Sequence, residues 1–148
     1  MNASESSLAA AHAEVKAEIA RIDTKASLLL AFIAAMFAGA WTLGSNAPLT
    51  VPAAMLGGWG VGLLVVAVGL LLRAVRPNTR GGHGFPLWAT LTPDEIRTLL
   101  PIDQAADIAN LSRIALVKFT AVGRAIDLIR TAGAFFFAAV LLTLGGAA

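Results

Sequence analysis

Arg21-Ile22-Asp23-Thr24-Lys25-Ala26-Ser27-Leu28-Leu29-Leu30-Ala31-Phe32 carries the chain from a charged amphipathic stretch into an uncharged one, with no glycine, proline or turn between them. The uncharged run continues to Gly44, 19 residues from Ala26. At ~1.5 Å per residue that is about 28 Å of helix, close to one hydrocarbon core. The spacing predicts a single helix that begins in water and ends in lipid, with Asp23 and Lys25 at the border. Ionisable residues at that depth are expensive, which makes both candidate functional positions.

Working outward, two more uncharged segments stand out, Ser45 to Leu72 and Thr131 to Ala148. The 148 residues are 57% hydrophobic and 14% charged, with a mean hydropathy of +0.77. A soluble domain carries about 25% charged residues, so this is membrane composition. The fold expected is an all-α integral membrane protein with three transmembrane helices, the first and third extended as amphipathic cytoplasmic helices. As one domain, it divides into a cytoplasmic helix (1–25), span 1 (26–44), span 2 (51–72), cytoplasmic loop and helices (73–130) and span 3 (131–148). A signal peptide is a poor description of the first span: its apolar run is too long, and Glu14, Glu18 and Asp23 stand where a basic n-region belongs. With no cysteine, neither disulfide nor thiolate chemistry is available.

The pI of 9.7 is a matter of topology rather than of nucleic acid. All 11 Lys and Arg fall in two places, Lys16, Arg21 and Lys25 before the first span and the rest between Arg73 and Arg130. The positive-inside rule then puts the N-terminus and residues 73–130 in the cytoplasm, and the 45–52 turn and the C-terminus outside. That is a multi-pass topology in the cell membrane.

On the first helix Leu8, Ala11, Val15, Ile19, Ile22, Ala26 and Leu29 recur at three- and four-residue spacings, beside a charged stripe of Glu14, Glu18, Arg21 and Lys25. The stripe reads most simply as a solvated face. Ser27, Ala31, Ala35 and Gly39, at four-residue intervals, offer a small face for close helix approach. Gly57, Gly58, Gly60 and Gly62 suggest tight packing or a bend in the second span. The glycine-rich Asn78 to Gly84 loop lacks the Walker spacing and a preceding strand. Phe85 to Trp88 is an apolar patch. Thr92-Pro93-Asp94-Glu95 is a helix start, with Thr92 as N-cap, Pro93 at the first position and Glu95 closing a capping box; that short helix ends near Pro101. From Asp103 a helix runs into the third span. On it Ile108, Leu111, Ala115, Phe119, Val122, Ile126 and Ile129 repeat at 3, 4, 4, 3, 4, 3.

Catalytic machinery is hard to find: His12 and His83 are isolated, and no nucleophile–base set is suggested, so an enzyme is not expected. Asp23 and Lys25 point ~200° apart on a helix and cannot pair with each other. Lys25 can snorkel to the lipid surface. Arg73 ends the second span and Arg130 begins the third, which makes them the expected partners of Asp23. Lys118, 13 residues before Thr131, would sit ~20 Å lower and face Glu14 or Glu18.

Asp23-Thr24-Lys25-Ala26-Ser27 resembles the D-x-K-A motif of the Pycsar transmembrane effectors. Arg76-Pro77, the aromatic Phe85 to Trp88 stretch and the series Asp107, Ile108, Leu111, Ile114, Lys118, Phe119 are similar to further motifs of that family. Trp88-Ala89 replaces its usual Phe-Gly. The likeness runs from about Glu14 to Leu142.

The resemblance implies an antiviral, anti-phage defence effector, executing abortive infection by impairing or depolarising the cell membrane. A partner pyrimidine nucleotide cyclase would act on it through a diffusible messenger, cyclic CMP or cyclic UMP. Such cyclic nucleotide signalling needs no bound cofactor. If the nucleotide is bound directly, its phosphate must meet cytoplasmic cations, for which Arg73, Arg76, Arg80, Arg113, Lys118 and Arg124 are candidates, with Asp23, Lys25 and Lys118 as the gating set. The spans hold little polar lining, so assembly of a homo-oligomer in the bilayer fits better than a pore through one copy. The competing reading is a membrane scaffold, or a small pore-former coupled to a different cytoplasmic sensor.

Overall fold

The computed structural model describes residues 3–76, 90–99 and 104–145, with side chains from residue 6 onward except those of 97–99, 104 and 105. Among them are four helices and no strand: α1 (Ala3–Asn46), α2 (Val51–Val75), α3 (Pro93–Leu99) and α4 (Gln104–Gly145). The protein is therefore all-α. Three helices, α1, α2 and α4, are long and apolar enough to cross a membrane. The Gly-rich loop, with Arg80 and His83, the Phe85 to Trp88 patch and Pro101 lie outside the described residues.

The sequence-predicted continuity of α1 holds through Asp23 and Lys25: the helix is 44 residues long, about 66 Å by helical rise. Thr42 Oγ1 donates to the Ala38 carbonyl (2.9 Å), and Thr143 Oγ1 to that of Ala139 (2.8 Å). Returning a hydroxyl to the preceding turn satisfies it without water. The Thr92 cap forms as expected. The Glu95 N–H donates to Thr92 Oγ1 (3.5 Å), and the Thr92 N–H donates to Glu95 Oε2 (2.8 Å). The bond from the Thr92 N–H, and after it one from the Thr92 hydroxyl (2.8 Å), hold the Glu95 carboxyl below its ordinary value of 4.5.

The chain divides into two compact units, one of Met1–Asp23 with Arg76–Phe119, the other of Thr24–Val75 with Thr120–Ala148. In the first, Ile22 and Ala115 are buried and Leu8, Ala11, Val15, Ile19, Ile108 and Leu111 are half-buried. Phe119, expected on this seam, is 39% exposed.

In the second unit the core is built mostly of alanine with a few branched residues, which suits association in lipid, where close approach replaces the hydrophobic drive. Gly60 of α2 lies against the ring of Phe136 on α4: a Cβ there would come 2.9 Å from Cε1. Gly57, Gly58 and Gly62 have no such neighbour, and α2 runs unbroken, so of the four glycines one serves close packing. Counting from Gly60–Phe136 along antiparallel helices pairs Leu64 with Ala132, Ala67 with Ile129, Leu71 with Ala125 and Ala74 with Val122. All eight are buried. Ile126, expected in the seam, is 39% exposed because α2 draws Ala125 and Ala132 inward instead. The Ser27, Ala31, Ala35, Gly39 face is exposed, so α1 uses Ala26 and Ile33 for packing.

Candidate functional site

The residues that carry the charge chemistry stand on α1 and α4 within the first unit. Lys118 Nζ donates to both carboxylate oxygens of Asp23, at 2.7 Å to Oδ1 and 3.0 Å to Oδ2. The Lys118 side chain is 16% exposed and that of Asp23 39%. This corrects the pairing expected from the sequence. Asp23 meets neither Arg73 nor Arg130, which are exposed, and Lys118 meets neither Glu14 nor Glu18. Glu18 instead accepts from Arg21 on its own helix, at 3.0 Å.

The reason is register. Counting back from each apolar segment treated the two segments as level. In the fold Asp23 is level with Lys118, although α1 loses its charges three residues after Asp23 and α4 only thirteen after Lys118. Arg130 stands twelve residues further along α4, about 18 Å by helical rise.

A second contact repeats the register. His12 Nε2 lies 3.3 Å from Asp107 Oδ2, without the alignment of a hydrogen bond. Both pairs are 95 positions apart, and the second lies eleven residues before the first on each helix. Eleven residues are close to three full turns, so the two contacts share one side of a parallel α1/α4 pair. Sequence reasoning set His12 aside as isolated. The equal offset to two oppositely charged positions is the signal that would have found it.

Of the remaining candidate residues, Lys25 is exposed at the start of the apolar run, and Arg73, Arg76, Arg113 and Arg124 are exposed. Arg73 and Arg124 stand away from the buried faces of α2 and α4.

These features define a class: an α-helical membrane protein with three helices able to span and a charged pair linking two long parallel helices. The chain belongs to the Pycsar effectors, since the family model for the Pycsar effector protein domain matches residues 7–145 and so takes in every described candidate residue. No curated protein and no solved structure matches it. Membership makes the chain an anti-phage defence effector that works in a membrane and is served by a partner cyclase; the family is not a known enzyme family.

Proposed function

We propose that this effector impairs or depolarises the inner membrane on receiving cyclic CMP or cyclic UMP, and that growth arrest by abortive infection follows. The observation that carries this reading is the Asp23–Lys118 pair, which joins α1 to α4 at the residues where both helices leave the first unit. A ligand shifts an equilibrium only through a differential affinity for its two states. A cyclic phosphodiester is a single negative charge, able to compete with Asp23 for Lys118, and the exposed Arg76 and Arg113 of the same unit add attraction. Release of the pair would free α1 and α4 to repack and copies to assemble. The N-terminus lies in the cytoplasm, where the messenger is made.

The test is a potassium diffusion potential across liposomes holding the purified protein. Cyclic UMP or cyclic CMP collapses it within the assay, and cyclic AMP does not. No collapse with any cyclic nucleotide would instead favour a scaffold. Full activity of an Asp23→Ala variant, still dependent on nucleotide, would reduce the pair to a packing device.

A further inference from the structure

Within the second unit, Arg124, Asp127 and Arg130 occupy one face of α4, away from its buried residues. The buried Val122, Ala125, Ile129 and Ala132 average to a direction opposite Asp127 at ~100° per residue, with the two arginines about 60° to either side. All three charged side chains are exposed, and no ion pair among the described residues includes them.

Their depth makes this unusual. Counted from Gly60 and Phe136, Arg124 is level with Leu72 of α2, Asp127 with Gly69 and Arg130 with Val66. On α2 nothing is charged from Val51 to Leu72, and Leu72 and Val66 are 56% and 54% exposed, as lipid-facing residues are. Arg130 thus stands about 10 Å inside the level at which Arg73 ends the apolar stretch of α2. A charged face turned to hydrocarbon at that depth is unfavourable, and such residues face a partner or a water-filled space.

The order of charges says which partner. In a parallel symmetric pair each residue is level with its own copy, so plus, minus, plus at three-residue steps is satisfied diagonally. Asp127 of each copy is then offset by three residues, ~4.5 Å along the axis, from the arginines of the other. Arg130 is the deeper and takes Asp127, while Arg124 is near enough to the end of the apolar stretch to snorkel outward. Gly123, on the same side, has nothing within 4 Å of a Cβ position, so a second backbone can approach there.

We propose that the face of α4 centred on Asp127 is the contact between two copies of this chain, packed α4 against α4 in parallel. Asp127 of each copy pairs with Arg130 of the other. This concerns assembly alone and stands whatever signal the effector reads.

The absence of native cysteine makes the test clean. Gly123→Cys and, independently, Ala134→Cys should give an oxidised dimer in native membranes. Gly69→Cys, level with Asp127 but on α2, should not. Adding Asp127→Arg to Gly123→Cys should abolish the dimer band. Inverting all three charges (Arg124→Asp, Asp127→Arg, Arg130→Asp) should restore it, with membrane-inserted protein equal in each sample. Dimer from Gly69→Cys as strong as from the α4 positions, no dimer from either α4 position, or a dimer indifferent to Asp127→Arg would each overturn the proposal.

Discussion

Lys118 holds Asp23 by two hydrogen bonds, 2.7 and 3.0 Å long, across 95 positions of chain. The lysine is the more buried partner, so the two ends of this pair are not equivalent. Removing the carboxylate strands a cation that water reaches poorly. Removing the lysine leaves an anion that water still reaches.

Asp23→Ala is therefore expected to destabilise more than Lys118→Met, by about 1–3 kcal/mol against under ~1 kcal/mol. The exchange Asp23→Lys with Lys118→Asp should recover part of the loss. Thermal unfolding of the detergent-solubilised variants measures all three, and equal losses for both single changes would contradict the asymmetry.

The common register of His12–Asp107 and Asp23–Lys118 predicts which positions can be bridged. A short bifunctional maleimide should link His12→Cys with Asp107→Cys, and Asp23→Cys with Lys118→Cys. The mismatched combination of His12→Cys with Lys118→Cys is about 16 Å out of step by helical rise and should stay unlinked. Peptide mapping after the reaction distinguishes the cases.

Gly60 is where α2 and α4 approach most demandingly. Gly60→Leu should cost roughly 1–3 kcal/mol by overpacking against Phe136. Gly60→Ala should cost less, because the ring edge can yield. Pairing Gly60→Ala with Phe136→Leu should return stability toward that of Phe136→Leu alone, whereas strictly additive losses in unfolding would argue against the contact.

At α3 the sign of the pH dependence follows from Glu95. Its carboxyl is held below the ordinary 4.5, chiefly by the backbone N–H of Thr92 and then by its hydroxyl. A depressed native value means that the contribution is present above pH 4.5 and is lost as pH falls through the lowered one. The protection factors of the Glu95 and Ile96 amides, exchange rates corrected for the intrinsic effect of pH, should fall over that acid range. Thr92→Val keeps the backbone N–H and should remove only the smaller, hydroxyl part of the dependence. Glu95→Gln should abolish it, and an unchanged profile in Glu95→Gln would place its origin elsewhere.

Much of the molecule was legible from residue order. Hydropathy located three spans because burial in lipid is a property of one helix at a time. The Thr92 capping box could be read because every partner lies within one turn. The Asp23-Thr24-Lys25-Ala26 and Asp107 to Phe119 motifs pointed to the family whose model matches residues 7–145.

What the tertiary structure decided was level. Which charge meets which depends on the axial register between helices, and that register is set by packing far from the charges themselves. Gly60 against Phe136 sets it for α2 and α4, and Ile22 and Ala115 lie buried in the unit that joins α1 to α4. Counting from the end of each apolar run gave Asp23 the wrong neighbours, because the runs on α1 and α4 begin at different heights. It also left Arg124, Asp127 and Arg130 in water, where the register sets them beside the apolar stretch of α2. The sequence by itself determined which helices are long and apolar enough to cross a membrane; the packing of the helices determined what stands opposite what.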